Sequence, residues 1–179
     1  MYQKILVPLD GSKQAEAALL LASKLARISN AEITLLRVVE YPFEMYSTCE
    51  PRSFVNLMPP DEKLEAEKEA FCKEAEDYLK RLASLIEMSV SKVSIEIQEC
   101  PVVEAILRTV AKSEIDLIVM STIGQDHNTW MMGAVANRIL REAEVPVILI
   151  RKDAGIPGRS YQEGSEQKEL RLPLSALPW

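Results

Sequence analysis

Three glycines and one aspartate carry the chemistry that can be read in this chain. Of its six glycines, only Gly11, Gly124 and Gly133 precede residue 152. Gly11 follows Asp10 in "ILVPLDGS", and the other two punctuate "STIGQDHNTWMMGAVANRIL", residues 121–140. Glycine lets backbone N–H groups approach an anion and tolerates positive φ. A helix beginning near 131–133 would aim free amides and the positive end of its dipole at the same place. Together these features make a phosphate cradle. The alternative is that the glycines serve turns and helix packing only, since a glycine pattern alone is a weak signal. Asp126 complicates the cradle. Pointing away it is a turn former or cap; pointing inward it repels a phosphate by about 1–4 kcal/mol at ~4 Å. A Mg²⁺ ion bridging Asp126 and a triphosphate would reverse that sign. His127, the single histidine, complements phosphate only when protonated and reads as an exposed loop residue.

Other chemistries find little support. There is no G-x-x-x-x-G-K-[ST] phosphate loop and no S-G-G-x-D-S loop. One histidine and no Cys–His pairing leave a nucleophilic triad without its parts, so the chain is expected not to be an enzyme. Cys49, Cys72 and Cys100 form no CxxC and read as reduced thiols of a cytosolic protein. A net charge of −6 argues against nonspecific attraction to nucleic acid or an anionic membrane. No apolar run approaches the ~20 residues of a membrane span, and the start "MYQKILVPLDGS" carries no signal-peptide core. A cytoplasmic location is expected.

The elements that must position the glycines alternate regularly. Strands are expected at 2–10, 31–40, 92–98, 115–122 and 145–152, and helices at 12–29, 61–88, 101–113 and 131–144. In the first helix Ala15, Ala18, Leu19, Ala22, Leu25 and Ala26 share one face, with Ser12 as N-cap. In the long helix Leu64, Phe71, Ala75, Tyr78, Leu79, Leu82 and Ile86 mark the buried stripe. Residues 41–60, with four prolines, form a long connection. Strands apolar on both faces, alternating with helices, imply a parallel sheet covered on both sides. In the strand order 3-2-1-4-5 the reversal falls between strands 1 and 4, where a doubly wound sheet binds its ligands. Residues 1–152 form one domain. After it, 153–169 is polar and reads as linker, while "LRLPLSALPW" (170–179) is apolar at alternate positions and fits a docking segment or vector-derived sequence.

The segments "ILVPLDGSKQAEAAL", "ITLLRVVE", "IDLIVMSTIG" and "GAVANRILREAEVPVILIRK", in that order and spacing, resemble the universal stress protein A family over about 1–152. The resemblance implies an α/β, flavodoxin-like (Rossmann-like) doubly wound five-stranded parallel sheet. It also implies a homodimer and, in one branch, binding of ATP or AMP. Nucleotide-binding members read G-x-x-G-x9-G-S/T; this chain reads Ser121-x-x-Gly124-x8-Gly133-Ala134. Serine replaces the first glycine, the spacer is one residue short, and Ala134 lacks the hydroxyl that bonds a phosphate oxygen. By the resemblance, Asp10 contacts the ribose or adenine region and Pro8 shapes that wall. Val38 offers backbone groups to adenine, and Met120 packs near the base. Gly124, Gly133 and the amides of Ala134 and Val135 face the phosphates. The family dimer buries the last strand, so antiparallel pairing through 146–151 is expected. The competing expectation is a nucleotide-free interaction protein of the same fold, with a degenerate phosphate loop and an unknown protein partner.

Overall fold

In the computed structural model, residues 1–40, 62–99, 101–122 and 132–151 are described, with backbone alone at 62–64. The elements are β1 (Lys4–Leu9), α1 (Lys13–Ser29), β2 (Glu32–Val38), α2 (Glu62–Ile86), β3 (Val93–Gln98), α3 (Val102–Ser113), β4 (Leu117–Ser121), α4 (Ala134–Glu142) and β5 (Val147–Ile150). All five strands are parallel, in the order β3-β2-β1-β4-β5. The expected sheet and strand order are therefore present. The connection 41–60, residues 123–131 and the tail lie outside the described residues.

Period-two alternation sends successive side chains of each strand to opposite faces. On one face Ile5, Val7, Leu9, Ile33, Leu35, Leu117 and Val119 meet α1 and α2. On the other, Leu6, Leu36, Ile118 and Met120 meet α3 and α4. The α1 stripe is Ala15, Ala18, Leu19, Ala22 and Ala26, and mostly alanine side chains let this helix lie close to the sheet. Ser12 caps α1 by accepting from the Ala15 amide at 3.1 Å, and Asn30 closes it in the left-handed region at φ 55°.

One expected core residue departs from its stripe: Phe71 is 40% exposed. At this turn the neighbouring Cys72 takes the inward place, packing with Val39, Ala75 and Ile97 of β3, and Phe71 is left off the buried stripe. Leu79, Leu82 and Ile86, nearer the carboxyl end, are buried as expected.

The amino edge of the central strand is held by one carboxylate. Asp116 accepts from the Gln3 amide at 2.7 Å through Oδ2 and from the Lys4 amide at 3.0 Å through Oδ1. Its own amide donates to Lys4 O at 3.0 Å. Asp116→Ala leaves two strand donors without these acceptors and should lower the urea-unfolding free energy by ~1–3 kcal/mol. Asp116→Asn, which keeps one acceptor, should lose less. Wild-type stability in the alanine variant would show that water satisfies these amides equally well.

Candidate functional site

The strand order reverses between β1 and β4, and there the ladder opens. Register pairs join Ile5 to Leu117 and Leu6 to Ile118, and none follows, although β1 continues to Leu9 and β4 to Ser121. The cause is in the sequence. Lys4 O accepts from the β4 side, so by alternation the backbone groups of Leu6 and Pro8 also face β4. Proline has no N–H to donate. Toward β2 the ladder runs on through Pro8–Leu36 to Leu9–Arg37. The hydrogen-bonded ladder to β4 thus stops after Leu6, while the ladder to β2 continues to Leu9.

The β1 rim of this site is a tight turn. Gly11 adopts φ +86°, and it is the one described glycine whose conformation an L side chain resists. The turn is closed by the Ser12 amide donating to Asp10 Oδ1 at 2.9 Å. Asp10 is half-buried. Arg37 Nη1 donates to Leu9 O at 3.3 Å, and its guanidinium lies against Gly11.

The β4 rim leads into α4. Thr122 donates through its amide to Ile150 O at 2.9 Å, and Thr122 O accepts from the Gly133 amide at 2.8 Å. Gly133 is the N-cap of α4, with φ −59° and no capping side chain. Its backbone is open to any residue, and an added Cβ would stand 3.4 Å from Thr122 O, at the near edge of ordinary contact. Positive φ is therefore required at Gly11 and not at Gly133. The helix begins at Ala134, later than the expected 131, and its first amides start without a side-chain cap.

The expected site residues fall as follows. Pro8, Val38 and Met120 lie near the carboxyl ends of β1, β2 and β4; Pro8 and Val38 are half-buried and Met120 is 6% exposed. Val38 and Met120 belong to the α3/α4 face. Ser121 ends β4, and Gly133, Ala134 and Val135 open α4. Gly124, Asp126 and His127 lie outside the described residues. Among the described residues no three of His, Cys, Asp and Glu converge as metal ligands. The Cys72 thiol donates to Glu99 Oε1 at 3.4 Å.

Two residues near the site escaped the sequence reading. Arg37 sits in "LLRVV", where a cation interrupts an apolar run; that interruption was the available signal. Tyr78, read only as core, has a buried hydroxyl with no hydrogen-bond partner among the described residues. Arg81 stands 5.5 Å from its ring centroid. Burial, then the negative charges of Glu16 and Asp10, push the Tyr78 phenol up to about 12, and Arg37 and Arg81 oppose this. In the folded chain the phenol keeps a proton that the unfolded chain releases near pH 10. Stability is therefore lost as pH rises from 10 through about 12. Tyr78→Phe, which breaks no hydrogen bond, should unfold like wild type at neutral pH and show a shallower decline above pH 10 in urea titrations. A decline unchanged by the substitution would place the responsible group elsewhere.

The sequence model of the Universal stress protein family matches residues 1–151. A universal stress protein of Methanocaldococcus jannaschii is 29% identical over 153 residues, covering 85% of this chain and 84% of its own. Among solved structures, universal stress protein UspA of Lactobacillus plantarum superposes with a TM-score of 0.68 at 25% identity, over 84% of this chain and 98% of that one. A universal stress protein of Archaeoglobus fulgidus in complex with dAMP shares the fold, with a TM-score of 0.58 at 17% identity, over 84% of this chain and 98% of its own.

Proposed function

We propose, of a chain that belongs to the universal stress protein family, that it is a dimeric stress-response module binding ATP or AMP between β1 and β4. The observation that carries this reading is the end of the β1–β4 ladder short of Pro8, where strand order reverses, with Asp10 following β1 and the uncapped start of α4 following β4. The dAMP complex of the A. fulgidus relative supports the ligand class.

In this reading Asp10 holds the ribose or adenine region and Pro8 forms the wall beside it. Val38 presents backbone groups to the base, and Met120 supplies an apolar surface. The amides of Ala134 and Val135 meet phosphate oxygens at the positive end of α4. Mg²⁺ would accompany ATP and screen its charge. The role in this reading is binding and signalling rather than catalysis, in the cytoplasm. Among the described residues no helix is long and apolar enough to cross a membrane.

Calorimetric titration with ATP and AMP, with and without Mg²⁺, tests the reading. Asp10→Ala should weaken both nucleotides. Ala134→Ser restores a hydroxyl at the first turn of α4 and should tighten ATP by about 2–12-fold, the equivalent of one hydrogen bond. No heat and no thermal stabilisation at millimolar ligand would favour the second reading, a nucleotide-free interaction protein. Ala134, which offers phosphate no hydroxyl, is the observation on that side.

The dimer is proposed at β5. Its four residues Val147–Ile150 are apolar and half-buried, and β4 is its one described neighbour. Pro146 O and Ile150 O accept from β4 and Thr122. By alternation the groups of Ile148 also face β4, and those of Val147 and Leu149 face outward. Leu149→Pro removes an outward donor without touching the ladder to β4. Sedimentation should give twice the 20.1 kDa chain mass for the wild type and a folded monomer for the variant. A variant that stays dimeric would move the interface away from this edge.

A further inference from the structure

Arg37 closes β2 opposite Leu9, on the sheet face that meets α1 and α2. Val38, next in sequence, belongs to the opposite face together with Met120. A cation this near a nucleotide crevice would ordinarily be read as a phosphate ligand. The geometry gives it another task. Its Nη1 donates to Leu9 O at 3.3 Å, the last carbonyl of β1. Both Nη atoms lie 3.8 Å, and Cζ 4.0 Å, from the position a Gly11 Cβ would take. The flat guanidinium therefore covers the turn whose φ of +86° sets the path of Asp10–Gly11–Ser12. That same turn carries the Asp10 carboxylate, fixed by the Ser12 amide at 2.9 Å.

We propose that Arg37 is a positioning residue: from the face away from the base, it holds the Gly11 turn and so aims Asp10 into the nucleotide crevice. The inference rests on the nucleotide reading given above. Arg37 acts through the turn and touches no phosphate. Its loss should therefore weaken ATP and AMP alike, whereas a phosphate ligand would matter more to ATP.

The test uses the full chain carrying Arg37→Met, its fold confirmed by cooperative unfolding. Hydrogen exchange of the Ser12 amide reads the turn, and calorimetry reads ATP and AMP. The expected result is Ser12 exchange at least ~10-fold faster and a similar loss of affinity for both nucleotides, on the order of one lost hydrogen bond to a charged donor. Asp10→Ala added to Arg37→Met should cost less than the sum of the two single changes, since both act through one carboxylate. Unchanged Ser12 exchange, an ATP-selective loss, or additive effects would overturn the proposal. If Arg37→Met does not fold, Arg37→Lys, which keeps the charge and loses the planar fork, should show the same loosening of Ser12. A wild-type chain that binds neither nucleotide would sink the functional reading, while the Ser12 exchange would still decide whether Arg37 holds the turn.

Discussion

At position 8 the central strand lacks a backbone N–H, and the ladder to β4 ends where that donor is missed. A proline inside a sheet is normally confined to an edge or a bulge. Here it is accommodated because Pro8 still lies in register with Leu36 of β2 and gives up pairing on the β4 side alone. The cost of a lost ladder bond is local, and the ladder stops at the point where strand order reverses. Asp10 and α4 stand at the two rims because the chain must leave β1 and enter α4 there.

The two faces of the sheet divide the work around this point. On the α3/α4 face Val38 and Met120 add apolar surface near the carboxyl ends of β2 and β4. On the α1/α2 face the side chains of Arg37 and Tyr78 sit behind the rim, with Asp10 and Glu16 close enough to bias the phenol. Alternation makes this division unavoidable: neighbours in sequence, Arg37 and Val38, must serve opposite faces. The conformation of Gly11 then links them, since one turn is covered from behind and presents a carboxylate in front.

Much of the architecture was legible because its signals are periodic. Continuous apolar strands and a 3.6-residue stripe on α1 survive without tertiary information, and the strand order followed from family resemblance and the parallel pattern. Phe71 was misread because Phe71 and Cys72 both fit a 3.6-residue stripe continued from Ala75, and only tertiary packing shows that Cys72 takes the inward place. The glycines were read together, as giving either anion access or positive φ, and at Gly133 the φ of −59° is ordinary; glycine identity alone does not distinguish conformational need from room for a ligand. Arg37 was overlooked because its partner is the carbonyl of Leu9, 28 residues earlier, and backbone acceptors have no sequence signature.

The central position of β1 also sets an order of assembly. Residues 4–98 contain β1, β2, β3, α1 and α2, a half-sheet covered on one face and complete as soon as it is made. Its second flank waits for β4; 112 residues separate Lys4 from Asp116. At ribosomal speed that interval is on the order of ten seconds. Until β4 joins, β1 is the edge of that half-sheet, apolar and open to a wrong strand. Proline blunts such edges, and Pro8 offers no N–H on the side that waits for β4.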